Sequence, residues 1–422
     1  MKIHFLAPIG AIWMGLMGLI VPIAASEELS QITAQSSRPL ISGFVQSVLE
    51  RHPSIAAAQA ELEAAISRAD GAARSIYNPE LEAEFEDADS TSKSVGISQA
   101  LDWSGKRGAR SATAKADVVA AKAALQLVQK SIANSLLQAL SAHQSVFEQL
   151  QLANAKIRLA KDFLELASTR NTAGDLSQSE LLTAHLSLSQ AMADRAQVMT
   201  DMSRVRQRLT SLSGEQKEVW PLLVGLPQFG LLTGSDIQLD ALPEIRLAVA
   251  TTDGFRSRIL LANKMRKADP TIGLRIGQES DGFGGQATLF GVRLSIPLQL
   301  RNNYSQSVDA ARSEALGAEE RTRNTRRLLA AKVHSTTERA LASQRAWIQW
   351  QKNGASQLSA QRELLKTLWE AGEIDAVSYL IQLNQTFDAE AASFELKGAL
   401  WASWFEWLDA SNSSHIWLEA IQ

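Results

Sequence analysis

The chain has 422 residues, 45% of them hydrophobic, enough for the buried interfaces of two or three domains. A net charge of −3 without a long basic run excludes a surface that tracks phosphates, so nucleic acid is not expected as a partner. The absence of cysteine excludes thiol catalysis, disulfides, thiolate metal sites and lipid attachment through an N-terminal Cys.

Residues 1–25 read as a signal peptide: Lys2, an apolar stretch from Phe5 to Ile23, then Ala24, Ala25 and Ser26, with cleavage near Ala25 or Ser26. The stretch is nearly long enough to span a bilayer, so a retained helix is the alternative. No second run of that length follows, which leaves an exported chain that is either soluble or a membrane β-barrel. Residues 26–40 read as a flexible segment.

From there the chain repeats itself. "HPSIAAAQAELEAA" and "LPEIRLAVATTDGF" each open a helix, at Pro53 and Pro243. "NPELEAEFE" pairs with "DPTIGLRIG", "GISQALDW" with "RLSIPLQL", and "AGDLSQSELL" with "AGEIDAVSYL", at offsets of 190 to 198 residues. Order and spacing place one repeat at 41–215 and a second at 241–410, with a linker at 216–240 and a tail at 411–422. Each copy is expected to run helix, two short strands, very long helix, turn, return helix.

The predicted strands are Glu80 to Asp87, Ser94 to Leu101, Thr271 to Gln278 and Thr288 to Leu298, joined by the polar or Gly-rich linkers "ADSTSK" and "DGFGGQ". In the first, Glu80, Glu82, Glu84 and Glu86 alternate with Leu81, Ala83 and Phe85, placing carboxylates on one face and hydrocarbon on the other. The other strands sort likewise: Val95, Ile97 and Leu101 against Ser94, Gly96 and Ser98; Ile272, Leu274 and Ile276 against Thr271, Gly273 and Arg275; Phe290, Val292, Leu294, Ile296 and Leu298 against Gly291, Arg293 and Ser295. This is the pattern of a barrel with lipid outside and water inside, and equally of a half-buried soluble sheet. Tyr77, Trp103 and Tyr304 at strand ends favour the membrane, as an aromatic girdle at headgroup level. Four strands cannot close a barrel, so the barrel must be shared among subunits.

Between Ser104 and Gly174 there is no proline, and about 70 residues at ~1.5 Å each make a rod near 100 Å. Leu150, Ile157 and Leu164, and Leu140 with Phe147, fall seven apart as a coiled-coil seam, while Ala109, Ala112, Ala116 and Ala120 add a small-residue face. Two narrow faces suit a cylinder of helices; a four-helix bundle is the competing arrangement. None of the six histidines is spaced as a metal-ligand pair, and His143 is expected to pack or to face a lumen. Met192, Met199 and Met202 share a face that could touch a soft metal ion or, more simply, pack a core. Trp401, Trp404 and Trp407 read as packing midway along the rod. No catalytic or cofactor-binding constellation is apparent, so neither an enzyme nor a cofactor is expected.

"SVGISQALDWSGKRGARSATAKAD", the paired "FGVRLSIPLQLRNNYSQSVDAARSEA" and the two "AG" turns resemble the TolC-type outer-membrane factors of bacterial tripartite efflux pumps, over about Ile41 to Asp409. "SQALDWSGKR" is similar to the strand-to-helix junction of the cobalt, zinc and cadmium branch. The resemblance implies a mainly α protomer with a small transmembrane β part, and a homotrimer in outer-membrane lipid with a twelve-stranded barrel and a long periplasmic α-helical barrel. It further implies passive conduction of substrate, divalent heavy-metal cations in that branch, from an inner-membrane pump of the resistance-nodulation-division type and a periplasmic membrane-fusion adaptor. In such a channel Glu80, Glu82, Glu84 and Glu86 face the lumen, partly offset by Arg275 and Arg293. Gly174, Asp175, Leu176, Gly372, Glu373 and Ile374 mark the periplasmic tips that dock the adaptor, with Leu176 and Ile374 exposed. Each glycine supplies the positive φ that ends a helix, Ser177 and Glu180 form a capping box, and Asp375 caps the second return helix. Glu180, an acid six residues past the glycine, is the gate candidate, although Ser378 stands at the matching place in the second copy. The alternatives are an adaptor or scaffold protein, which one hairpin and no two-faced strands would favour, and an outer-membrane factor for drugs or other organic compounds.

Overall fold

A computed structural model describes residues 41–420 apart from 224, 228, 230–236 and 281–282. The signal peptide and the 26–40 segment lie outside the described residues. The chain opens with a helix over 41–51 (α1) and α2 (Pro53–Ala73), where Pro53 occupies the first helical position and the His52 ring accepts the Ser54 N–H. Strands β1 (Glu80–Asp87) and β2 (Thr91–Ala100) form a hairpin, and α3 (Lys106–Ala173) and α4 (Gln178–Ser213) form the first helical hairpin. The order then recurs: α5 (Pro243–Met265), β3 (Thr271–Ser280), β4 (Gln286–Ser295), α6 (Ser305–Asn353), α7 (Ala355–Glu370) and α8 (Ala376–Ser411), followed by the short α9 (Ser414–Ala420). The duplicated plan is present in full, with a 68-residue α3.

Strand ends shift from the expected ones. β2 starts at Thr91 and β3 runs to Ser280 because the two hairpins keep pairing to Asp87↔Thr91 and Ser280↔Gln286; β4 stops at Ser295, so Ile296 and Leu298 lie beyond it. The second long helix is broken at Gly354, where a Cβ would lie 2.8 Å from the Trp350 ring, so the indole sits directly on the backbone.

Among the described residues three apolar clusters hold the helices together, the smallest of them Leu242, Ile245 and Leu329 between α5 and α6. Midway along the molecule, α1 and the centre of α3 (Ile132 to Leu140) pack against Trp401, Trp404, Phe405, Trp407 and Leu408 of α8, joined by Trp220, Leu223 and Trp417. The linker and the tail thus contribute to the core. Far from the sheet, Phe163 and Ala167 of α3 meet Leu365 and Trp369 of α7 and Tyr379, Leu383 and Phe387 of α8. The α3 seam also differs from expectation. The buried seven-residue repeat is Ala153, Ala160 and Ala167, facing Ala184 and Ala191 of α4, while Leu150, Ile157 and Leu164 are only half-buried. Alanines let two helices approach closely, so the small residues take the centre and the leucines flank it. Of the second small face, Ala109 is buried, Ala116 and Ala120 are half-buried and Ala112 is exposed.

Candidate functional site

The four strands form one antiparallel sheet in the order β1-β2-β3-β4, so β1 and β4 are its edges and the β2–β3 pair joins the two repeats. Its register builds complete rows. One face carries Glu80–Ser98–Gly273–Arg293, Glu82–Gly96–Arg275–Gly291, Glu84–Ser94–Gly277–Leu289 and Glu86–Ser92–Glu279–Ala287; the other carries Leu81–Ile97–Leu274–Val292 and Ala83–Val95–Ile276–Phe290. A one-residue slip at any pair would mix the faces, so the alternation fixes the register.

The polar face is cross-linked. Arg275 Nη1 donates to Glu84 Oε2 at 3.1 Å, reaching over β2, and Arg293 lies 3.7 Å from Glu82, whose Oε1 also accepts from Ser98 Oγ. Glycine makes these crossings possible: a Cβ on Gly96 would stand 2.9 Å from Leu274 O and 3.0 Å from Arg275 Cβ, and one on Gly291 would stand 2.9 Å from Arg275 Nε. Glu80 and Glu86 make no ion pair among the described residues. Glu279 lies one residue past the expected end of β3 at Gln278 and so outside the expected lining; it shares the outermost row with Glu86 and accepts from Ser90 Oγ. The strand's period of two, carried one residue further, reveals it.

Sheet and helices meet at a buried ion pair. Lys106, first residue of α3, places Nζ 2.8 Å from Asp269 Oδ2, and the Tyr77 hydroxyl donates to the same oxygen at 2.7 Å. That carboxylate, through the hydrogen bond first and then burial, pushes the Tyr77 phenol up to about 12. Asp102 receives the Lys106 and Arg107 N–H groups at 2.7 and 2.8 Å. Burial alone would raise its carboxyl, but those backbone donors outweigh it and hold the group below its usual range. Of the three girdle aromatics, Trp103 is 75% exposed and Tyr304 is exposed at a left-handed φ of 55°, whereas Tyr77 is half-buried by its bond to Asp269.

At the opposite end Gly174 and Gly372 end their helices at φ 85° and 75°. Ser177 and Glu180 form the expected capping box, and Asp375 accepts the Val377 and Ser378 N–H groups. The Ser177 hydroxyl and N–H hold the Glu180 carboxyl below its ordinary range, so Glu180 serves the cap. Asp175 and Glu373 are exposed, but Leu176 is 9% exposed and Ile374 half-buried, contrary to the expected apolar docking patch. Both turn inward onto the Phe163, Trp369 and Tyr379 rings, whose centroids lie 5.0 to 5.4 Å apart. The Arg170 guanidinium lies 4.5 Å from the Trp369 ring and donates to the Trp369 and Glu370 carbonyls, tying the two tips together.

The methionines do not converge: Met192 and Met199 are each 47% exposed while Met202 is buried, because ten residues rotate a helix by roughly 80° from alignment. His143 packs beside Leu136 and Leu140, and burial pushes it down to about 4. Among the described residues no group of three or more His, Asp or Glu side chains is placed to hold a metal ion, and no helix is long and apolar enough to cross a membrane.

Residues 44–215 match the family described as Outer membrane efflux protein. The nickel-cobalt-cadmium resistance protein NccC of Alcaligenes xylosoxydans xylosoxydans is 26% identical over 297 residues, 67% of this chain and 66% of that protein, so the match spans just under two thirds of the relative's length. The fold is similar to the outer membrane protein VceC of Vibrio cholerae (TM-score 0.73, 15% identity, 88% of this chain and 96% of that one). It is also similar to CusC (0.73, 14%, 88% and 91%) and to the Campylobacter jejuni CmeC outer membrane channel (0.76, 14%, 89% and 86%).

Proposed function

We propose that this chain, a member of the outer membrane efflux protein family, is one subunit of a trimeric exit duct in a bacterial outer membrane, the passive final stage of a tripartite efflux system. The observation that carries this reading is the four-stranded sheet: hydrocarbon on one face, ion-paired carboxylates on the other, and two edge strands with no partner strand among the described residues. In lipid those edges require partner strands, and three copies give the twelve strands of a closed barrel. The polar face then lines the pore, and the helices extend into the periplasm.

The cargo we infer is divalent heavy-metal cations. Five acids stand against two arginines on the polar face of the described strands, an excess that attracts cations, and the similarity to a nickel-cobalt-cadmium resistance protein points the same way. The duct needs no resident metal site, since conduction requires weak rather than tight binding. The tips at Gly174 and Gly372 would receive a periplasmic membrane-fusion adaptor, and an inner-membrane pump of the resistance-nodulation-division type would supply the energy. With the apolar tip residues turned inward, docking falls to exposed polar groups such as Asp175 and Glu373.

Planar-bilayer recording under a salt gradient tests this. The wild-type channel should prefer cations. Changing Glu80, Glu82, Glu84 and Glu86 together to Gln leaves only Glu279 against Arg275 and Arg293 on that face, so the preference should fall and move toward anions. An unchanged reversal potential would refute the electrostatic role.

A further inference from the structure

The outward face of the sheet has an edge. Past a first row of Gln99, Ile272 and Leu294, its rows are apolar until Phe85–Lys93–Gln278–Thr288, and the last row before the hairpin turns is Asp87–Thr91–Ser280–Gln286. Lys93 is the one cation on the outward face of the described strands, and no carboxylate among the described residues pairs with it. Its ammonium instead stands 5.4 Å from the Phe85 ring centroid. Below it lies a groove of about 570 Å³ whose floor is Ala83, Val95 and Ile276 and whose upper rim is Phe85, Lys93, Gln278 and Thr288. Ala83, small between Leu81 and Phe85, makes the hollow.

An apolar trough with an ammonium, an amide and a hydroxyl at one end has the polarity of an acyl chain bearing a phosphorylated headgroup. The hairpin turns are the end of the sheet remote from the helices, so with periplasmic helices this rim lies in the outer leaflet. The groove runs across all four strands of one subunit, and closing the barrel at its edges leaves it open.

We propose that each subunit holds one phosphorylated glycolipid of the outer leaflet here, its acyl chain in the groove and its phosphate on Lys93. The proposal rests on the membrane-channel reading. The test is native mass spectrometry of the detergent-extracted complex with lipid A or phosphatidylglycerol added, for the wild type and for Lys93→Arg, Lys93→Met and Ala83→Phe. Wild type and Lys93→Arg should retain lipid A in preference to phosphatidylglycerol. Lys93→Met should retain at least about fivefold less, and Ala83→Phe should also lose it, while both variants conduct normally in bilayers. Equal lipid A retention by Lys93→Met, or equal retention of the two lipids by wild type, would overturn the site and leave the channel standing. A wild type that never enters bilayers would overturn both.

Discussion

Lys106 and Asp269 come from different repeats and meet in a nearly dry junction, with Tyr77 donating to the same carboxylate oxygen as Lys106. Removing one partner of a buried pair strands the other charge, so Asp269→Ala should cost about 3 kcal/mol, whereas Tyr77→Phe, which removes one hydrogen bond, should cost about 1 kcal/mol. Thermal melts of the detergent-solubilised complex would separate the two. His143 gives a pH dependence. Burial keeps the folded imidazole neutral, so on acidification the unfolded chain takes up its proton first. Stability is therefore full above the ordinary value of 6.5 and falls as pH drops toward about 4. His143→Leu should lose less stability than wild type between pH 7.5 and pH 5, by roughly 1 kcal/mol, in parallel melts. At this scale the sequence was only partly readable. The parity of Glu80 to Glu86 and the caps at Ser177 and Asp375 follow from local spacing, but the partners of Lys106, Arg275 and Arg293 depend on strands brought together from far along the chain.

The helical hairpins show the same division. Helix lengths and turn glycines were legible because propensity, caps and positive-φ positions are local. The alanine seam of α3 was not, since the pattern marks residues seven apart without saying which set a neighbour covers. Nor was the inward turn of Leu176, which depends on Trp369 and Tyr379 of the other hairpin. Gly174 and Gly372 have φ values that proline cannot adopt, and the Gly174 N–H donates to Asn171 O at 3.0 Å. Gly174→Pro and Gly372→Pro should therefore disturb only the tips. We expect normal assembly and barrel insertion with loss of efflux and of crosslinking to the adaptor. Normal efflux from both variants, at normal protein levels, would remove the tips from the working contact.

For the molecule as a whole, the repeat carries most of the architecture: matched landmarks recur in the same order 190 to 198 residues apart. What a single chain could not display is the closed barrel, because β1 and β4 are edges whose partners would belong to other copies. The central claim is that three chains complete the structure in a membrane. Its most direct test is the native mass of the complex extracted with detergent from the outer-membrane fraction. The account predicts three mature chains per particle, recovered only with detergent; a soluble monomer released from the periplasm without detergent would contradict it.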